Sequence, residues 1–111
     1  MDNKSLVSEF YQQFFNGHDL TAPLRMVRED YIQHNPGVGQ GRQALIDAFS
    51  EKFQTDPSFH LEIQLMIAEG DMVAVYLKNT GPDGRTKARV VDIYRIEGGM
   101  LAEHWDVLQP V

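Results

Sequence analysis

Apolar residues recur first at helical spacing and then at strand spacing, and the switch falls near the middle of the chain. Leu6, Val7, Phe10, Tyr11, Phe14 and Phe15 form one stripe over residues 3–16, which predicts an amphipathic helix. Asn16-Gly17 predicts its end, with a residue able to take the left-handed conformation. Thr21 can cap a short second helix with Pro23 in its first turn and Leu24, Met26 and Val27 as apolar residues. Tyr31 to Asn35 reads as a short extended piece, because Pro36 holds Asn35 out of helical space. Gly37, Gly39 and Gly41 make a flexible loop. A third helix is predicted from about Arg42 to Asp56-Pro57, with Leu45, Ile46, Phe49 and Phe53 inward.

After Pro57 the period drops to two. Phe59, Leu61, Ile63, Leu65 and Ile67 alternate with His60, Glu62, Gln64, Met66 and Ala68, a half-buried strand. Glu69-Gly70-Asp71 turns the chain into a second strand, residues 72–78, apolar on both faces. Asn79 to Gly84 is a turn cluster. Thr86 to Ile96 and Leu101 to Leu108 are the third and fourth strands. Helices followed by an antiparallel meander predict one α+β domain over residues 1–111, with the helices on one face of a curled sheet. Val73, Val75, Val91 and Ile93 are expected to face away from the helices. A sheet apolar on both sides wants two covers. The expected second cover is another copy of the chain, a homodimer through the outer sheet face.

Composition narrows the function classes. An apolar share of 42% supplies a real core, so disorder is not expected. Sixteen acidic against ten basic residues leave a net charge of −6, which argues against nucleic acid and against an anionic membrane surface. The absence of cysteine excludes a disulfide framework, a thiolate zinc site and a Cys nucleophile. No basic segment followed by an apolar run marks a signal peptide, and the longest apolar stretch, Met72 to Leu77, is far short of a membrane span. A cytoplasmic location is the expectation.

Five polar positions stand out from the solvated charges. Asp92 shares a strand face with Val90, Tyr94 and Ile96, while Arg89 and Arg95 point the other way. An apolar setting without a local cation favours the neutral, proton-donating carboxylic acid; a structural hydrogen bond to a neighbouring element is the plainer alternative. His104 and Asp106 share a face of the last strand. A two-residue Gly98-Gly99 loop sets Asp92 opposite Trp105. A three-residue loop Glu97-Gly98-Gly99 sets it opposite His104 and gathers Asp92, His104 and Asp106 on one surface. Both loops accept this sequence. His34 and Asn35 sit before Pro36, where they serve either a turn or a site. No His-x-His or His-Glu-x-x-His pattern exists, so no metal is expected.

Asp30-Tyr-Ile-Gln-His-Asn-Pro36, Gly41-Arg-Gln-Ala-Leu-Ile46, Val91-Asp-Ile-Tyr-Arg-Ile-Glu-Gly-Gly99 and Glu103-His-Trp-Asp-Val-Leu-Gln-Pro110 together carry a resemblance. In order and spacing the chain resembles, end to end, the SnoaL-like branch of the nuclear transport factor 2-like superfamily. The resemblance implies a cone-shaped, strongly curved antiparallel sheet wrapped around three helices, an α+β roll open at one end to an apolar pocket. It also implies a dimer through the outer sheet face, no cofactor, and the three-residue hairpin. Asp106 matches the acid/base carboxylate of the family's polyketide cyclases, and Asn35 a pocket Asn. Asp92 stands where the cyclases have His and where the related ketosteroid isomerases have an oxyanion-stabilising Asp. The isomerase base is missing, so neither reaction is inherited.

The resulting expectation is acid/base chemistry on a small apolar carbonyl compound by enolisation: aldol cyclisation, isomerisation or dehydration. Asp106, with His104 beside it, moves a proton next to the carbonyl. A protonated Asp92 donates to the enolate oxygen, with Asn35 or His34 assisting. Tyr31, Tyr94, Trp105, Phe14 and Phe49 are the expected substrate-pocket residues. A non-catalytic binding module for a hydrophobic ligand, or a dimeric scaffold, is the alternative.

Overall fold

In the computed structural model, which describes residues 1–111, Asp2 starts the first helix, α1 (Asn3–Phe10), by accepting the Ser5 N–H at 2.7 Å. The helix widens into a π-helical segment, Tyr11–Asn16. All six residues of the predicted stripe are buried. The helix does not end on a left-handed glycine: Gly17 has ordinary negative φ and His18 takes the left-handed turn at φ 54. Gly17 is needed for another reason, since a Cβ there would stand 2.6 Å from the Gln13 carbonyl oxygen. Asn16 instead clamps the sheet, donating to the Leu61 carbonyl and accepting the Leu61 N–H.

The second helix, α2 (Ala22–Met26), carries Pro23 in its first turn, but the Thr21 hydroxyl bonds Asp19 rather than capping it. Strand β1 (Val27–Gln33) begins earlier than the expected extended piece. Helix α3 (Arg42–Thr55) follows, then β2 (Leu61–Glu69), β3 (Met72–Thr80), β4 (Thr86–Glu97) and β5 (Met100–Pro110). They form one curved, unclosed sheet in the order β1-β5-β4-β3-β2, antiparallel except for β1 beside β5. The α+β architecture with three helices on a curved sheet is therefore as expected. No helix is long and apolar enough to cross a membrane.

Two bulges reset which residues face inward. The β4–β5 turn is the two-residue Gly98-Gly99, both at positive φ, not the three-residue loop. Leu101 and Ala102 then share the place opposite Ile96, so the pairing shifts by one before Arg95 meets Glu103. Beyond this bulge Asp92 lies opposite Asp106 and Tyr94 opposite His104. The second bulge is at Gln64. Past it Met66 packs against the core while Leu65 and Ile67 turn outward, 51% and 63% exposed, against the simple alternation expected of this strand.

Val73 and Val75 are fully buried against the helices, not outward as expected, because they pair with the inward Tyr94 and Asp92. The outer face of β3 is made by Ala74 and Tyr76. Val91 and Ile93 do face outward. Two apolar rows thereby cross four strands on the outer face, Leu65–Tyr76–Val91–Val107 and Ile67–Ala74–Ile93–Trp105.

Phe14 is fully buried, with ring centroids 5.2 Å from Phe10, 5.4 Å from Phe49 and 5.6 Å from Phe53. It belongs to the core and does not line the cavity, which corrects the expected pocket position. Phe14→Ala should cost about 3–5 kcal/mol of unfolding free energy, measured by denaturant titration; a loss below about 1 kcal/mol would mean this aromatic core is not packed as described.

Candidate functional site

A cavity of about 180 Å³ lies between the helices and the inner sheet face. Its walls are largely apolar: Phe15, Leu45, Phe49, Phe59, Leu77 and Val90 among others. One end is polar, made by Tyr31, Gln33, Asn35, Asp92, Tyr94, His104 and Asp106. Drug-sized ligand sites usually run to about 300 Å³ or more, so this one suits a small molecule.

The polar end is a continuous hydrogen-bonded chain. Gln33 Oε1 accepts the backbone N–H of His34 and of Asn35, each at 3.1 Å. It can only accept, so the ring nitrogen that meets it, His104 Nδ1 at 2.6 Å, carries a hydrogen. His104 Nε2 lies 2.9 Å from Asp92 Oδ1. A hydrogen bond there needs one proton between the two, whether it rests on the imidazole or on the carboxyl. Tyr11 donates its hydroxyl hydrogen to Asp92 Oδ2. Tyr94, 2.8 Å from the Tyr11 oxygen, must then be the donor to Tyr11. Asp92 does not stand without a partner, as the strand alternation alone suggested. His104 is that partner, contributed by the adjacent strand, and both Asp92 oxygens are occupied.

Asp106 is held differently. Asn35 Nδ2 donates to its Oδ2 at 2.8 Å, and Asn35 Oδ1 accepts the Gly37 N–H at 2.7 Å, which fixes the amide orientation. The other Asp106 oxygen makes no bond within the protein. The Asp92–His104 pair opposite shares one proton and carries no net charge as a unit. Reciprocal bonds between Gln40 and the Gln33 backbone, 2.9 and 2.6 Å, tie the loop before α3 to the end of β1.

The sequence missed Tyr11, Gln33 and Gln40. The only available signal for Tyr11 was a hydroxyl on a fully apolar stripe, which must find a buried partner. His34 and Trp105 are corrections in the other direction. Side chains alternate along strands, so each points away from its inward neighbours Gln33 and His104. The two rings stack on the outer side, 4.9 Å apart, and His34 Nε2 lies 2.8 Å from Glu103. The bonds of Glu103 to His34 and then to Arg95 hold its carboxyl below the usual value. Tyr31, Tyr94 and Phe49 line the cavity.

Donor atoms of Asp92, His104 and Asp106 lie within 4.8 Å of one another, close enough for one cation. Both oxygens of Asp92 and both nitrogens of His104 already bond protein groups, so a metal would have to break the Nε2–Oδ1 contact. The donor set does not favour one.

The SnoaL-like polyketide cyclase family matches residues 5–111, and the chain belongs to it. Among solved structures, wild-type IdmH from Streptomyces antibioticus superposes with a TM-score of 0.81 at 20% identity, over 98% of this chain and 93% of that one. TsrD from Streptomyces laurentii gives 0.74 at 22% identity, over 98% and 91%. A SnoaL-like family protein from Agrobacterium tumefaciens gives 0.81 at 14% identity, over 96% of each chain. At these identities the likeness is one of fold. No curated protein matches the chain by sequence.

Burial pushes the Tyr11, Tyr31 and Tyr94 phenols well above the usual value of 10.0; the next cause is Tyr94 for Tyr11 and Asp92 for the other two. All three are neutral donors at physiological pH. The unfolded chain ionises its phenols first, so it binds fewer protons above about pH 10, and stability falls as pH rises from there. Phenolate absorbance of these tyrosines should therefore emerge together with loss of near-ultraviolet circular dichroism. Reversible ionisation of all tyrosines in the folded protein would contradict their burial.

Proposed function

We propose that the cavity enolises a small carbonyl compound. Asp106 takes the proton from the carbon beside the carbonyl. The C–H electron pair moves into the carbon–carbon bond, and the carbonyl π pair moves onto oxygen. Tyr31 donates a hydrogen bond to that oxygen. The enolate is then reprotonated at another carbon, attacks a second carbonyl, or expels a leaving group.

The observation that carries this reading is the contrast between the two carboxyls. Asp92 is saturated by Tyr11 and His104, while Asp106 keeps one oxygen free beside the cavity. Tyr31 is 3% exposed and borders the cavity, and its hydroxyl bonds no protein group. The donor role expected of Asp92 therefore passes to Tyr31, and Asp92 with His104 holds the polar end in place without adding net charge beside Asp106. Asn35 aims Asp106. His34, on the outer side, takes no part.

The test is exchange of the acetophenone methyl protons in heavy water, followed by NMR. Asp106→Asn should slow any catalysed exchange roughly 100-fold or more, and Tyr31→Phe by roughly 100-fold. Asp92→Asn should disturb the folded network as well as the rate. Catalysed exchange that survives both Asp106→Asn and Tyr31→Phe rejects the assignment.

We also propose that a second copy of the chain covers the outer sheet face. The two apolar rows across β2 to β5 leave Leu65, Ile67 and Val107 51%, 63% and 71% exposed, and apolar residues grouped on one exposed face mark an interaction surface. Light scattering at micromolar concentration should give twice the chain mass, and Val107→Glu should return the monomer. A wild-type monomer rejects this interface.

A further inference from the structure

Asn79 is the polar residue that the network above does not use. It continues the inward-facing row Val73, Val75, Leu77 on β3, opposite Ala88 on β4 and Leu61 on β2. The strand runs through to Thr80, so Asn79 does not serve the turn that the sequence suggested. Asn is a poor strand former, and an apolar residue would continue the row better. Its Oδ1 is the only side-chain nitrogen or oxygen in the protein that is wholly shielded from solvent and yet has no hydrogen-bond partner. Its amide makes no other side-chain bond, and the residue lines the same cavity as Asp92 and Asp106, among Phe59, Leu61, Leu77 and Val90. A polar group kept unpaired in an apolar wall calls for an explanation.

We propose that Asn79 is a specificity residue that binds a hydroxyl at the far end of the ligand. The end of the cavity that would meet the carbonyl is marked by Asp106, four residues along β5 from Pro110, the partner of Ala88 and through it of Asn79, a backbone span of about 13 Å at about 3.3 Å per residue. Two hydrogen bonds of about 2.9 Å leave about 7 Å between the polar atoms of the ligand itself. The ligand class is then a small ring compound with a carbonyl at one end and a hydroxyl across the ring. Rotation about the terminal bond of Asn79 presents either its oxygen or its nitrogen to the cavity, and a hydroxyl can answer both. The inference shares with the enolisation reading the premise that the cavity holds a ligand, but it needs no turnover.

The experiment is calorimetric titration with two matched pairs: acetophenone with para-hydroxyacetophenone, and ethylbenzene with para-ethylphenol. In wild type the hydroxylated member of each pair should bind about 2–10-fold tighter. Asn79→Leu should bring that ratio to one and leave acetophenone affinity unchanged within about twofold. The same variant, freed of an unpaired buried amide, should melt about 4 °C higher or more; if it does not fold, Asn79→Ala carries the binding arm. Equal binding within each pair, or a ratio that survives the substitution, overturns the proposal. So does failure of all four compounds to bind at millimolar concentration. A hydroxyl preference that depends on Asn79, without catalysed exchange of acetophenone, leaves Asn79 standing and removes the enolisation reading.

Discussion

A single extra residue in β5 governs the chemistry of the interior. Strand side chains alternate with a period of two, so a shift of one position sends every side chain to the opposite face. The tight Gly98-Gly99 turn alone would pair Asp92 with Trp105. The Leu101-Ala102 bulge cancels that register and brings Asp92 opposite Asp106, with His104 beside them. Trp105 and Val107 are sent outward by the same step. The bulge at Gln64 does the equivalent at the other side of the sheet, moving Met66 in and Leu65 and Ile67 out. Together the two bulges make the polar end of the cavity and the apolar outer rows.

The polar end survives burial because its donors and acceptors can be counted through without a clash. Two backbone N–H groups of the loop after β1 fix the Gln33 oxygen, that oxygen fixes the hydrogen on His104 Nδ1, and Tyr11 and Tyr94 fix the far oxygen of Asp92. Leaving any one of these groups unpaired would cost about 1–3 kcal/mol. The network draws on α1 with its π-helical extension, β1, β4 and β5, so it forms only when helix and sheet are docked. It also explains why one carboxylate is held still while the other remains open to a ligand. Asn79 breaks the pattern within the same cavity, which is why it reads as a contact for something other than protein.

Much of the architecture was legible along the chain because burial imposes a period. The six-residue stripe of α1, the span of α3 and the meander of long strands each follow from where apolar residues recur. Asp92, His104 and Asp106 stood out because each is a titratable group among apolar neighbours. The errors share a cause. His34, Trp105, Leu65, Ile67, Val73 and Val75 were assigned to a face, and faces depend on register. Phe14 was correctly buried but placed one layer too near the cavity. His18 rather than Gly17 took the left-handed turn because Gly17 was needed for a close approach to the Gln13 carbonyl.

The amino-acid sequence by itself determined the family, the α+β layout and the set of residues able to do acid/base chemistry, since all three rest on composition and local spacing. Which of those residues meet was decided only by the tertiary structure. Strand partners are distant in the chain, a bulge costs little locally, and its position is settled by how the whole sheet packs against the helices. The partnership of Asp92 with His104, Tyr11 and, through them, Gln33 spans up to 81 positions and has no local signature.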